Sequence, residues 1–493
     1  MMHLSIEEVA APRNPEMLVE QLSGEPGVML LRSGPLDSAQ AGYSFVTARP
    51  FQSFRSWGSR CELVSAFGTQ IQYGNPWRLL ESLMARYELL DELDLPFPLG
   101  GCFGYWGYDL KNFIEPKLSR RAPNDLEVPD CNVGFYDSLV VFDHRLGKTW
   151  IISTGIGLDG SRSDAQAKRK LDYWRARLRQ ATNQIPFGTD RTGFSSTSCT
   201  LSKLLDSSNL SVVSNFSRRD FLERVAHSLA LIRSGDIYQI NLSQRFFSPW
   251  SSSGWELFQR LSAASPAPFS AYLDCGEFQI ASSSPEMFLR LSGAHVQTRP
   301  IKGTRPRSMD PTRDTELAYE LQNSAKEMAE LLMITDLLRN DLGKVCEYGS
   351  IEVPELVRLE CYAQVQHLVS TIEGRLRPDV SHFATLASCF PGGSITGAPK
   401  FRAMEIIDEL EPVSRGPYTG ALGYLGFNRE SQLSIVIRSA LCKNGHAYFH
   451  AGAGIVADSL PAAEYEETLA KAGGFFQALR ATASAAAGSL SIA

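Results

Sequence analysis

The chain has no Cys-x-x-Cys pair: its nine cysteines (Cys61, Cys102, Cys131, Cys199, Cys275, Cys346, Cys361, Cys389 and Cys442) stand singly and in an odd number. That pattern supports neither a zinc ribbon nor a disulfide framework, and suits reduced thiols in a cytosolic setting. No window approaches the ~18 uninterrupted apolar residues of a membrane-spanning helix. Residues 1–12 lack the basic start and apolar centre of a signal peptide. A cytoplasmic protein with no membrane partner is therefore expected. Basic excess is missing too: the formal net charge is -6 and the pI about 5.9. No field exists to draw nucleic acid or anionic lipid, so neither is an expected partner. The glycine-rich stretch Pro391 to Lys400 fails as a phosphate loop, because Ala398 and Pro399 follow Gly397 where Lys and Ser/Thr are needed.

What is present describes a large globular chain of 493 residues, 43% hydrophobic and 21% charged, long enough for two or three units. Short runs at 28–31, 43–46, 139–142 and 149–152 read as antiparallel strands, the last two as a hairpin. A helix interrupts them at Trp77 to Leu90. Gly100 to Asp109, glycines interleaved with aromatics, predicts close backbone packing under flat rings. A polar helix at 165–180 is followed by a Ser-, Thr- and Asn-rich stretch at 181–214, the natural linker. The expected division is a first domain over 1–180, a linker over 181–214 and a second domain over 215–485. Interspersed helices without a repeated βαβ spacing argue for α+β.

In the second half, Ser217 caps a helix with Phe221, Val225, Leu229 and Ile232 on one stripe. A period-two strand follows, with Gln239, Asn241 and Ser243 on its polar face. Runs 278–282 and 287–291 read as a hairpin with Glu286 near its turn. Thr312 is expected to cap one long helix over about 313–339 that carries Glu327 and Glu330. The last helix, about 461–479, carries Glu464, Glu467 and Lys471. Spacings Lys326 to Glu330 and Glu467 to Lys471 are ordinary helix-surface ion pairs, and alone justify no metal. Pro399 can open the helix 400–410, whose N-terminus could receive a carboxylate.

One lysine is singled out by its neighbours. In Thr298-Arg299-Pro300-Ile301-Lys302-Gly303-Thr304, Pro300 fixes its φ and Gly303 lets the chain turn, so the Lys302 amine is aimed. Arg299, Arg305 and Arg307 crowd the segment, and neighbouring cations or burial favour a neutral, nucleophilic amine. Read alone, Lys302 fits an ordinary strand-end lysine, solvated or paired with a carboxylate, better than a catalytic one.

Taken together, Ser283-Ser284-Pro285-Glu286, Pro300-Ile301-Lys302-Gly303-Thr304, Ala329-Glu330-Leu331-Leu332-Met333, Gln366-His367-Leu368-Val369-Ser370, Pro391 to Lys400, Gly452-Ala453-Gly454-Ile455-Val456 and Glu464 to Lys471 resemble the chorismate-utilising enzymes. The likeness is densest to the aminodeoxychorismate synthase component I branch, and covers the second half more closely than the first. It implies large antiparallel β-sheets packed as a sandwich with helices outside, and chorismate binding in the second domain. Lys302 stands where the anthranilate synthase branch has alanine. Gln239 stands where isochorismate and salicylate synthases carry a water-activating lysine.

The implied reaction joins chorismate and ammonia to give 4-amino-4-deoxychorismate, on the route to para-aminobenzoate and folate. Lys302 would be the nucleophile and Glu286 the acid, with a carboxyl pKa raised by burial. Mg²⁺ would be held by Glu330 and Glu467 with Glu327 and Glu464 contributing. Arg438 and the amides around Gly452 and Gly454 would receive the enolpyruvyl carboxylate. His367, Thr396, Gly397, Lys400 and Gln239 match substrate-binding positions. No glutaminase signature accompanies them, so a separate glutamine amidotransferase subunit would supply ammonia. Ser33, Tyr43, Ser44, Pro268 and Phe269 match a tryptophan pocket, in which Arg32 replaces an acidic residue. Anthranilate synthesis, or a catalytically silent aromatic amino-acid binding protein, are the alternatives.

Overall fold

The computed structural model describes residues 4–10, 14–33, 42–89, 95–182, 211–362 and 365–487. Most of the stretch expected as a linker, residues 183–210, lies outside them. Helices begin where the sequence supplies a side-chain acceptor: Asn75, Ser217, Ser253, Asp310, Ser324 and Ser381 each accept a hydrogen bond from an N–H of the first turn. Pro76 and Pro311 occupy the first helical position, where no N–H is needed.

Two 12-stranded antiparallel sheets make up the body. The first runs from Ser5–Val9 through the hairpin Ser138–Asp143/Lys148–Ser153 and Met29–Ser33 to Phe269–Asp274, then on to His446–Ile455 and Gln239–Pro249. The second runs from Ile301–Pro306 through Val365–Arg375, Met287–Ser292 and Ala421–Gly426 to Gly101–Trp106 and the edge strand Gly68–Tyr73. Both sheets therefore take strands from either side of residues 181–214. They join the two stretches of chain through Met29–Ser33 on Phe269–Asp274 and Gly101–Trp106 on Ala421–Gly426.

Phe45, Leu139 and Val141 of the first sheet pack against Phe103, Tyr105, Leu422 and Tyr424 of the second, forming the inner core of a sandwich. Helices cover the outer faces. Trp174 and Phe475 lie over the first sheet and Trp77, Ile334 and Phe383 over the second. The fold is α+β, with large antiparallel sheets inside and helices outside, as the residue pattern and its resemblance implied.

Two expectations are corrected. Runs 278–282 and 287–291 do not form a hairpin: Gln279–Ser284 belongs to the first sheet and Met287–Ser292 to the second. Ser284, Pro285 and Glu286 are the crossing between the sheets, a long-range arrangement that alternation within each run cannot reveal. The single helix over 313–339 is two, Pro311–Gln322 and Ala325–Gly343, and the first is capped by Asp310 rather than Thr312. Ser324 interrupts them by capping the second through its side chain, which accepts from the Glu327 N–H.

Gly104 is a close-packed point on the strand that joins the halves. It sits at φ 150° opposite Gly423, and a Cβ there would lie 2.2 Å from the Asn132 carbonyl. Gly104→Ala is expected to destabilise the protein by about 2–4 kcal/mol through backbone strain and overpacking. Denaturant unfolding checks this, and a change within about 0.5 kcal/mol, the range of an indifferent surface substitution, would contradict it.

Candidate active site

Lys302 lies on the end strand of the second sheet, paired across from Leu368, at a register shift between Lys302 and Thr304. Gly303 makes that shift with φ 66°, and a Cβ there would press on Leu321 at 2.7 Å. The bulge directs the amine inward, to a point 4.0 Å from Glu330 Oε2. The expectation that arginines crowd this amine is not met. Arg299 pairs with Glu360 at 2.5 Å, Arg305 with Glu327 at 3.6 Å and Arg307 with Asp314 at 2.8 Å. Each is neutralised on the spot, and the charges that face Lys302 are carboxylates: Glu330, Glu286 and Glu467.

Glu286, at the crossing, is 7% exposed and accepts a hydrogen bond of 2.5 Å from Ser394 Oγ. Burial raises its pKa, and Ser394, Lys302 and Lys471 offset only part of that rise. Opposite it, from the first sheet, Gln239 is fully buried and neither atom of its amide has a hydrogen-bond partner among the described residues. The face it shares with Asn241 and Ser243 is buried rather than solvated. A Cβ at Gly454 would lie 3.1 Å from Gln239 Nε2 and 3.8 Å from Lys302 Nζ. Gly454 therefore leaves open the space between the amide and the amine, and a Cβ at Gly452 would lie 2.5 Å from Asn241 Oδ1.

His367 pairs across from Thr304, whose hydroxyl is 2.8 Å from its Nδ1. Burial, with Arg438 adding to it, lowers the His367 pKa to about 4, so the ring is neutral near pH 7. Arg438 holds φ 50°, unusual for a residue with a Cβ, and lies between strands Glu430–Ile435 and Ser439–Lys443. Burial alone depresses its pKa, with no carboxylate among the described residues to oppose it. A desolvated guanidinium in that state is a receptor for an anion.

Three matched positions are built into the walls instead. Lys400 Nζ reaches Asp341 at 2.5 Å and the Pro391 carbonyl at 3.0 Å. The Thr396 hydroxyl donates to the Gly392 carbonyl at 3.1 Å. Gly397, at φ 151°, lets the loop bridge to Gln239, whose carbonyl would be 2.2 Å from a Cβ.

Of the four helix carboxylates, Glu327 and Glu464 lie in first turns, where the helix dipole favours negative charge, and Glu330 and Glu467 lie one turn further on. Glu327 and Glu330 stand near the start of Ala325–Gly343, and Glu464 and Glu467 near the start of Pro461–Ala487. Burial raises the pKa of both Glu330 and Glu464. At the more open Glu467, burial is outweighed by Lys471, Lys302 and Lys326, and the pKa falls. Oxygen donors of this kind suit a hard divalent cation, and the buried Glu464 Oε2 has no hydrogen-bond partner among the described residues. Among the described residues, no three acidic, His or Cys side chains converge as a coordinated metal requires. Basic side chains stand among them: Lys326 lies 3.9 Å from Glu330 and 4.0 Å from Glu464, and Lys471 lies 2.7 Å from Glu467.

Ser33, Tyr43, Pro268 and Phe269 line a separate pocket with Arg32 and Tyr424. Ser44 supports it from behind, accepting from the Ser33 N–H at 3.1 Å. Arg32 is held by Glu16 at 2.7 Å. Sequence reasoning missed Ser394 as the partner of Glu286, and Lys326 as a bridge between two helices. Ser394 lies in a loop already singled out, but nothing local indicates where its hydroxyl points.

The unpaired Gln239 amide generates a test. Leaving both polar ends of a buried amide unmet costs about 1–3 kcal/mol, so Gln239→Met should stabilise the ligand-free protein by ~1 kcal/mol while lowering its activity. Thermal unfolding beside an activity assay checks both, and a destabilised Gln239→Met variant would contradict the first.

The chain is similar to known proteins along most of its length. The family described as chorismate binding enzyme matches residues 39–477. Aminodeoxychorismate synthase component 1 of Klebsiella aerogenes is 39% identical over 462 residues, covering 93% of this chain and 95% of that one. Anthranilate synthase component 1 of Acetivibrio thermocellus is 36% identical over 477 residues, covering 97% and 94%. Among solved structures, anthranilate synthase component I from Streptococcus pneumoniae TIGR4 superimposes with a TM-score of 0.74 at 30% identity, covering 90% of this chain and 94% of that one.

Proposed function

We propose that this chain, which belongs to the family of chorismate binding enzymes, aminates chorismate to 4-amino-4-deoxychorismate through a covalent link to Lys302. The observation that carries this reading is the placing of one amine between Glu286, Glu330 and the unpaired Gln239 amide. Its relatives include aminodeoxychorismate synthase components and anthranilate synthase components alike. Lys302 is the residue that favours the first.

In the reaction, Lys302 attacks C2 of the ring while the C4 hydroxyl departs. Glu286, whose carboxyl pKa burial raises and which Ser394 steadies, delivers the proton that this hydroxyl takes away. Ammonia then adds at C4 and expels the lysine. Arg438 receives the enolpyruvyl carboxylate, and neutral His367 borders the ring without adding charge. Glu330 and Glu467, with Glu464 and Glu327 beside them, would hold Mg²⁺, which when bound supplies a counter-charge for the ring carboxylate. A glutamine amidotransferase subunit supplies the ammonia, and the product serves para-aminobenzoate and folate synthesis in the cytoplasm.

Product chromatography from chorismate, Mg²⁺ and ammonium tests the reading. Aminodeoxychorismate is expected, and anthranilate as sole product would overturn it. Glu286→Gln should lower the rate by about 10²–10⁴, the usual contribution of a positioned acid. Because the Glu286 pKa is raised, its protonated form survives to higher pH than an ordinary carboxyl's and is lost as pH rises through that value. The wild-type rate should therefore fall on the alkaline side, and in Glu286→Gln that limb should disappear.

A further inference from the structure

We propose that Lys326 is the resident counter-ion of the acidic cleft, and that its ammonium and a divalent cation take the place between Glu330 and Glu464 by turns. This rests on the metal reading above. Lys326 Nζ stands 3.9 Å from Glu330 Oε1 and 4.0 Å from Glu464 Oε1, midway between carboxylates of two helices and within hydrogen-bond distance of neither. The Glu464 side chain is only 4% exposed and its Oε2 has no hydrogen-bond partner among the described residues, whereas Lys326 is 44% exposed and has solvent to retreat into.

The other two lysines of the cleft are fixed. Lys471 is bonded to Glu467 at 2.7 Å and to the Gly452 carbonyl at 2.9 Å, and Lys302 is aimed by the bulge at Gly303. An unpaired carboxylate out of water is costly, so a metal-free cleft needs a cation there. A dication in the same place repels the ammonium, so each occupant excludes the other. Lys326 thereby keeps the carboxylates apart and open when no metal is bound, and sets how tightly one binds.

Calorimetric titration of the full chain with Mn²⁺, without chorismate, tests this in wild type, Lys326→Met and Arg339→Gln. Arg339 is a cation of the same helix that pairs with Asp336 at 2.8 Å. Lys326→Met should bind Mn²⁺ about five-fold more tightly, the effect of removing two partly exposed ion pairs, while Arg339→Gln should match wild type. In thermal unfolding, Lys326→Met should melt below wild type in EDTA and close the gap in saturating Mg²⁺. Unchanged or weaker Mn²⁺ binding by Lys326→Met beside a binding wild type would overturn the Lys326 role alone. Equal tightening by Arg339→Gln would do the same, reducing the effect to general charge. Absence of Mn²⁺ binding in all three would overturn the metal reading with it.

Discussion

Negative charge held out of water between two helices and two sheet ends is the constraint on which this site depends. Glu286, Glu330 and Glu464 all have carboxyl pKa values raised by burial, and each is tempered by lysines from other elements. Charges in this setting interact far more strongly than on a surface, so the lysines and carboxylates must be positioned together. The arrangement is one unit: moving Lys302 alters Glu286, Glu330 and Glu467 at once.

The sheets supply that positioning. Lys302 is on the end strand of one sheet, Gln239 and Gly454 on paired strands of the other, and Glu286 at the crossing between them. Two helices bring the other carboxylates, Glu327 and Glu464 from their first turns, where the backbone dipole opposes some of the cost of gathering them, and Glu330 and Glu467 from the turn after. Each sheet also draws strands from both ends of the chain, so the sandwich that holds the site is itself held together by the Gly104–Gly423 and Leu31–Ala271 pairings.

Much of this was legible in the residues. The Ser217 helix cap, the hairpin ending at Ser153 and the helix after Pro399 follow from local chemistry, and the raised pKa of Glu286 follows once it is buried. What escaped depends on distant partners. The crossing at Pro285 looks like a hairpin turn because alternation says nothing about which sheet a strand joins. Arg299, Arg305 and Arg307 look like a cationic frame for Lys302 until Glu360, Glu327 and Asp314 arrive from elsewhere in the chain. Lys400 looks like a ligand for carboxylates until Asp341 claims it. Lys326 looks like half of a surface ion pair because its second partner, Glu464, lies on another helix.

The central claim is that Lys302 becomes bonded to the substrate. Acid-quenching the enzyme after incubation with chorismate and Mg²⁺ but no ammonia, followed by peptide mass mapping, measures this directly. The account predicts that the peptide bearing Lys302 gains the mass of chorismate less one water, and that ammonium added before the quench removes the gain. An unmodified Lys302 in enzyme that aminates chorismate once ammonium is supplied, or a Lys302→Ala variant that does so at the wild-type rate, would contradict it.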